Sequence, residues 1–184
     1  FVSGEYIIGL LAKSFLDSSK GAKVVIDPRL VWNVQTLIEK SGGLSVVSKT
    51  GHVFIKREMR KHEAIYGGEI SAHHYFKEFS YCDSGMIPML LILELICSTG
   101  KNISQLVEER EMRFPSSGEK NYKVKDPSLS IKKVFNYYKA TALKYDFVDG
   151  ISLCFEDWRF NLRRSNTDPL VRLNIETKGG AEKL

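Results

Sequence analysis

The apolar pattern of this chain changes once, around Phe114-Pro115-Ser116-Ser117-Gly118, and that change limits what it can fold into. Before it, short β-branched runs alternate with helical patterns. Residues 5–16 read as a helix, with apolar side chains at Ile7, Ile8, Leu11, Phe15 and Leu16. Residues 23–26 read as a buried strand ending at Asp27-Pro28, and 30–40 as a helix stopped by Gly42-Gly43. Residues 44–48 and 65–67 read as further strands, with a helix at 51–62 between them. The apolar run 86–96, interrupted by Pro88 and Glu94, reads as a buried helix capped by Asp83. Asn102 or Ser104 starts another. This alternation predicts an α/β domain with a mixed, largely parallel sheet. After the change, Pro127 opens a helix running to about residue 143, and strands follow at 150–156, 158–162 and 170–176. That order predicts a smaller α+β domain with an antiparallel sheet. The expected division is 1–112, a hinge or linker at 113–118, and 119–184.

Composition narrows the function classes. The hydrophobic share of 43% suits a packed core, and no apolar run reaches the ~18 residues of a membrane span. Cys82, Cys97 and Cys154 are odd in number and widely spaced, without Cys-x-x-Cys. That disfavours a disulfide framework or zinc site and points to a reducing, cytoplasmic setting. Cys97 is expected to pack as a small apolar residue. Residues 1–112 hold 13 Lys/Arg and 13 Asp/Glu, whereas 113–184 hold 14 and 9, so the whole +5 lies in the second part and favours anionic partners there. The run Lys56-Arg57-Glu58-Met59-Arg60-Lys61 lacks interleaved aromatics and reads as an exposed helix face, not a nucleic-acid surface.

Two motifs carry chemistry. Gly67-Gly68-Glu69-Ile70-Ser71-Ala72-His73-His74 places a carboxylate, a hydroxyl and imidazoles behind a Gly-Gly pair, which reads as a tight loop at a strand end. If the loop is extended, Glu69, Ser71 and His73 share a face, a set suited to sugar hydroxyls. His74 then points the other way and is expected to be structural. In residues 158–169 an alternating strand (Trp158, Phe160, Leu162) runs into Arg163, Ser165, Asn166 and Thr167, and Pro169 closes the turn. A guanidinium with small polar side chains and turn amides is a cradle for a phosphate. Together the loops suggest a sugar phosphate. In Lys49-Thr50-Gly51-His52, His52 lies at an expected helix N-terminus, where the dipole favours an anion or a polarised hydroxyl. Arg29, in Asp27-Pro28-Arg29, is a positive group after a strand. An electrostatic role suits it better than acid–base work.

At GGEISAHH, KTGH and RRSNTDP the chain resembles the α-D-phosphohexomutases, most closely the bacterial phosphomannomutase and phosphomannomutase/phosphoglucomutase branches, in the family's motif order and over essentially all 184 residues. The resemblance implies the third (sugar-recognising, 1–112) and fourth (phosphate-binding, 119–184) of four domains. It implies catalytic roles for His52, His73 and Arg29. Thr50, Gly51, Glu69 and Ser71 would hold sugar hydroxyls, and Arg163, Ser165, Asn166 and Thr167 the phosphate that is not transferred. The implied reaction interconverts mannose 6-phosphate and mannose 1-phosphate through an active-site phosphoserine and a 1,6-bisphosphate. Glucose or mannose 1,6-bisphosphate would be the activator and Mg2+ the metal of the full-length protein. The family's phosphoserine loop and its Asp-Gly-Asp-x-Asp-Arg-type magnesium loop are absent from this sequence, so no metal ligand is assigned here. The chain opens on Phe1 rather than Met. It is therefore expected to be the C-terminal half of a mutase, with hexose phosphates and the missing N-terminal half as partners, no nucleic acid or membrane, and no turnover alone. A phosphoglucomutase or dual-specificity enzyme is the nearest alternative. A non-enzymatic anion-binding module is the alternative from another class.

Overall fold

Strand β1 (Lys23–Ile26) lies inside the first sheet, whose order is β2-β1-β3-β4-β5. Its neighbours β2 (Leu44–Val47) and β3 (Tyr66–Gly68) run parallel to it, while β4 (His74–Phe76) and β5 (Cys82–Asp83) return antiparallel. The sheet is mixed, with a parallel centre. Both faces of β1 are covered, as its run of β-branched residues requires. Val24 and Ile26 join Ile8, Leu11 and Leu16 of α1 (Gly4–Ser18) and Val34 and Ile38 of α2 (Trp32–Lys40) on one side. Val25 meets Ile55 and Met59 of α3 (His52–His62) on the other. Helices α4 (Met86–Thr99) and α5 (Ile103–Arg113) follow. Asn102 and Gln105 exchange hydrogen bonds between side chain and backbone, 3.0 Å each way, which is a reciprocal N-terminal cap for α5. Asn33 knots three helices together. Its amide donates to Glu5 O (3.0 Å) and its oxygen accepts from Arg110 Nε (2.7 Å), while Arg110 Nη2 also donates to Asn33 O (3.1 Å).

The second sheet is antiparallel throughout, in the order β6-β10-β9-β8-β7. Its strands are β6 (Lys120–Lys123), β7 (Lys144–Asp146), β8 (Ile151–Cys154), β9 (Trp158–Arg164) and β10 (Leu170–Thr177). Helix α6 (Pro127–Tyr138) is capped by Asp126, which accepts from Leu129 N at 2.9 Å. Val134, Phe135 and Tyr138 pack against Ile151, Leu153, Phe160, Leu162 and Val171. Strand alternation then turns Ser152, Arg159, Asn161, Arg163, Arg172, Asn174 and Glu176 to the opposite, polar face. Gly150 adopts φ 72°, and a Cβ there would lie 2.3 Å from Leu162 O and 2.7 Å from Arg163 Cα, so only glycine lets β9 come so close.

The computed structural model describes residues 2–165, 168–180 and 184. It divides into Phe1–Asp27 with Val31–Glu111, and Pro28–Leu30 with Met112–Leu184. Residues 113–117 follow β10: Thr177 N donates to Pro115 O, Ser117 N to Ile175 O and Gly179 N to Arg113 O.

Several local expectations are corrected. Helix α4 is not buried: within it only Pro88 is, and Met86, Met89, Leu90 and Leu93 are exposed. It is apolar all round, and the unit packs only the side bearing Ile87, Leu91 and Ile92. Cys97 is accordingly exposed. Asp83 does not cap α4, because it belongs to β5; Ser84 Oγ accepts from Ile87 N instead, at 3.3 Å. Gly67 lies in the expected strand, and Gly68 continues that strand rather than opening a flexible turn. Their missing side chains leave room for Met59 and Ile8, whose atoms lie 2.7 Å from where a Cβ would stand.

Candidate functional site

In the first unit the chemistry-bearing loops follow the carboxyl ends of β1, β2 and β3, where open α/β sheets gather ligands. After β2 the chain turns at Gly51, with φ 118° and ψ 139°, and starts α3 at His52. After β3 it turns through residues 69–73 into β4. This segment is a tight hairpin turn at the strand end, and it is not extended: Glu69 N donates to His73 O, Ala72 N to Glu69 O, and Ala72 has φ 67°. The hairpin nonetheless gathers the expected groups. Gly51, His52, Lys56, Glu69, Ser71, His73, Tyr75 and Asp83 line an open pocket of about 500 Å³.

Glu69 is its fixed element. The residue is 3% exposed, and each carboxylate oxygen accepts an internal hydrogen bond, Oε1 from Gly51 N (2.7 Å) and Oε2 from Tyr75 Oη (2.6 Å). The first bond sets an anion on the N-terminus of α3, where the helix dipole favours it. The second, with burial the larger cause, pushes the Tyr75 phenol far up, so Tyr75 stays a donor. Asp27 Oδ2 accepts from Ile70 N (2.8 Å) and ties the hairpin to the end of β1. Each remaining carboxylate lone pair of Glu69 can take a ligand hydroxyl in a fixed direction.

His52, Ser71 and His73 are exposed on the rim. His73 Nδ1 lies 3.5 Å from Asp83 Oδ2, and Asp83 Oδ1 is 3.1 Å from Lys56 Nζ. The bond from Lys56 is the main reason the Asp83 carboxyl is held low. Lys56 therefore belongs to the pocket rather than to a solvated helix face. His74 is buried, shares a 2.6 Å hydrogen bond with Tyr66 Oη, and is pushed down to about 4, first by burial and then by its neighbour His73. Thr50 is not among the residues lining the pocket.

The second unit carries a cluster of arginines. Arg163 and Arg172 face each other across β9 and β10. Glu119 bridges them, accepting from Arg163 Nη2 at 3.1 Å and from Arg172 Nη1 at 2.9 Å. Arg29, 6% exposed, belongs to this unit and places Nη1 3.7 Å from Glu119 Oε2. It is not among the residues lining the pocket that holds Glu69. Ser165 Oγ accepts from Asp168 N and, at 3.5 Å, from Arg172 Nη2. Asn166 and Thr167 lie outside the described residues. Beside the cluster, Arg159 Nη1 donates to Glu176 (2.6 Å) and Arg29 O (3.2 Å), and Nη2 donates to Pro28 O (2.8 Å).

Sequence reasoning missed Tyr75, Asp83, Glu119 and Arg172. Arg172 had a signal: Val171, Leu173 and Ile175 are core-facing by alternation, so Arg172 must share the face of Arg163.

Two family models match this chain. One, described as phosphoglucomutase/phosphomannomutase, alpha/beta/alpha domain III, covers residues 3–114; the other, the C-terminal domain of the same family, covers 119–184. The chain is 55% identical over 179 residues to a phosphomannomutase of Escherichia coli K12, covering 97% of this chain and 39% of that protein. It is 52% identical to a protein named phosphohexose mutases from Xanthomonas campestris, covering 100% of this chain and 41% of that protein. A crystal structure of a phosphoglucomutase/phosphomannomutase family protein from Burkholderia thailandensis superposes with a TM-score of 0.80 at 25% identity, over 96% of this chain and 38% of that one. The chain thus spans about two-fifths of the length of the relatives it matches.

Proposed function

The chain belongs to the phosphoglucomutase/phosphomannomutase family, and from that premise we propose that it is the substrate-recognising, C-terminal part of a phosphomannomutase. In the reaction proposed for the whole protein, a phosphoserine outside this chain passes its phosphoryl group to a hexose monophosphate. The 1,6-bisphosphate turns round and returns its other phosphoryl group to the serine, so mannose 6-phosphate and mannose 1-phosphate interconvert.

The single observation that carries this reading is Glu69. It is a buried carboxylate whose two oxygens are aimed by Gly51 N and Tyr75 Oη into a pocket rimmed by Ser71, His52 and His73. Glu69 and Ser71 would hold sugar hydroxyls, and Thr50 and Gly51 would shape the turn beside them. His73 suits proton transfer at the reacting hydroxyl, because an imidazole can do acid or base work near neutral pH. His52, at the α3 N-terminus, would bind the oxygens around the transferring group. Arg163, Ser165 and, by family resemblance, Asn166 and Thr167 would grip the phosphate that stays. Arg29, 3.7 Å from the Glu119 carboxylate that bridges Arg163, would add positive charge to that grip. Holding a remote phosphate positions the reacting one, and positioning is a large share of phosphoryl transfer. Mg2+ would supply charge neutralisation in the complete protein. Among the described residues no three His, Cys, Asp or Glu side chains could hold a metal ion, so no step here runs through it.

The test is a mannose 6-phosphate titration of the chain followed by amide NMR shifts. Shifts around Glu69–His73 and around Arg163–Ser165, lost in Glu69→Ala and Arg163→Met respectively, support the reading. Binding that is indifferent to both substitutions refutes it. Mannose 6-phosphate against glucose 6-phosphate in the same assay ranks the two hexoses.

A further inference from the structure

The arginine cluster of the second unit carries one carboxylate too many for a plain phosphate cradle. Arg163 and Arg172 are a directly opposed cross-strand pair, and like charges in that position repel. Arg29 adds a third cation within 3.7 Å of the same carboxylate. Glu119 answers with a single negative charge, one oxygen 2.9 Å from Arg172 Nη1 and the other 3.1 Å from Arg163 Nη2. Glu119 thus sets one negative charge among three guanidiniums. A phosphate monoester brings about −1.5 to −2 at neutral pH. The donors that Glu119 occupies, the terminal nitrogens of two arginines, are also the donors that grip phosphate oxygens in pairs. Ser165 Oγ stands 3.5 Å from Arg172 Nη2, so the assigned phosphate loop reaches the same guanidinium. The Nε atoms of Arg163 and Arg172 are buried and have no hydrogen-bond partner among the described residues, so both guanidiniums act through their terminal nitrogens.

We propose that Arg172 is a further phosphate-binding residue beside Arg163, and that Glu119 is a built-in competitor for the phosphate. The carboxylate and the phosphate monoester exchange on the same guanidinium donors. Glu119 keeps the arginines paired across the strands when no phosphate is bound, and its negative charge weakens the hold on a bound phosphate, so the ester can leave and return in its other orientation. This inference rests on the phosphate-cradle reading above.

The experiment is a titration of the chain with inorganic phosphate, followed by amide shifts and phosphorus line width. The proteins are the otherwise wild-type chain, Glu119→Gln, Arg172→Met and Arg163→Met, all in a Trp32→Phe background and each checked for native Trp158 emission. Glu119→Gln keeps the size and removes the charge. It is expected to bind phosphate about tenfold more tightly, the Coulomb effect of one charge removed a few ångströms from the ligand in a partly shielded site. Arg172→Met is expected to bind about tenfold more weakly. If Glu119→Gln loses native emission, Glu119→Ser removes the same charge from this position, whose side chain is 23% exposed, and is read the same way. Equal or weaker binding on removing the charge overturns the competition, and unchanged binding in Arg172→Met overturns that residue's role. If Arg163→Met abolishes binding while Glu119→Gln leaves it unchanged, the cradle stands and this inference alone falls. No phosphate binding by any of the folded proteins sinks both.

Discussion

His74 makes the first unit sensitive to acid. It is 4% exposed on β4, is hydrogen-bonded to Tyr66 Oη at 2.6 Å, and lines an open pocket together with Pro88, Met89, Ile92 and Leu93 of α4. The titratable groups beside it are Tyr66, whose phenol burial pushes well up, and His73, whose positive charge opposes a second one. The folded His74 therefore protonates only near pH 4, against 6.5 in the unfolded chain. A depressed imidazole means that the unfolded chain binds the proton first. The stability is fully present above pH 6.5 and lost as the pH falls from 6.5 towards 4. Linkage gives a loss of about 2 kcal/mol between pH 7 and pH 5, and about 3 kcal/mol once both states are protonated. The assay is urea unfolding followed by Trp32, in a Trp158→Phe background so that only the first unit reports. Repeating it in His74→Gln isolates the residue. The variant is expected to be less stable at pH 7 and to lose less than half as much on going to pH 5. An equal pH-dependent loss in both proteins would refute the argument that burial holds His74 neutral.

Other outcomes follow from single contacts. Arg159→Met leaves the buried Glu176 without its guanidinium and strips the carbonyls of Pro28 and Arg29 of a donor, so the second unit should lose about 3–5 kcal/mol in urea unfolding followed by Trp158 in a Trp32→Phe background. Replacing Glu176 by Gln in the same protein should restore part of that loss. Gly150→Ala forces a Cβ to within 2.3 Å of Leu162 O at a positive φ, and about 2–4 kcal/mol of destabilisation with shifted Arg163 amides is expected by the same readout. Tyr75→Phe removes the bond that aims Glu69 Oε2. A bond to a charged group is worth about 1.5–3 kcal/mol, so mannose 6-phosphate affinity should fall about tenfold or more in the NMR titration while the phosphate-loop shifts persist.

The alternation of β-branched runs with helical patterns up to about residue 112, and its replacement by helix and strands, are local properties, and both sheets were legible from them. What was not legible depended on partners distant in sequence. Strands β4 and β5 have three and two residues and no period to detect. Strand β6 is an exposed edge rich in lysine, which disguises a strand as a charged loop. The Gly-Gly before Glu69 looked like turn chemistry, yet Met59 and Ile8, from two different helices, are what exclude a side chain there. In the pocket, Glu69, Ser71 and His73 converge because a hairpin turn folds them together, not because alternate residues share a face. Lys56 and Asp83 could not be paired from spacing, since one lies on α3 and the other on β5. Helix α4 misled for the opposite reason: an apolar sequence states that burial is favourable, not what does the burying.

The knot at Asn33 has a consequence for how the first unit breathes. One residue joins the first turn of α1, the start of α2 and the end of α5 through buried hydrogen bonds of 2.7–3.1 Å, two of them made by its side chain. No one of the three helices can peel away without orphaning a polar group in the interior of the other two. Fraying that is independent at ordinary helix ends is thereby coupled here. Amides in these three turns are expected to exchange with deuterium at a common rate set by one concerted opening. Asn33→Ala should separate that single exchange class into three.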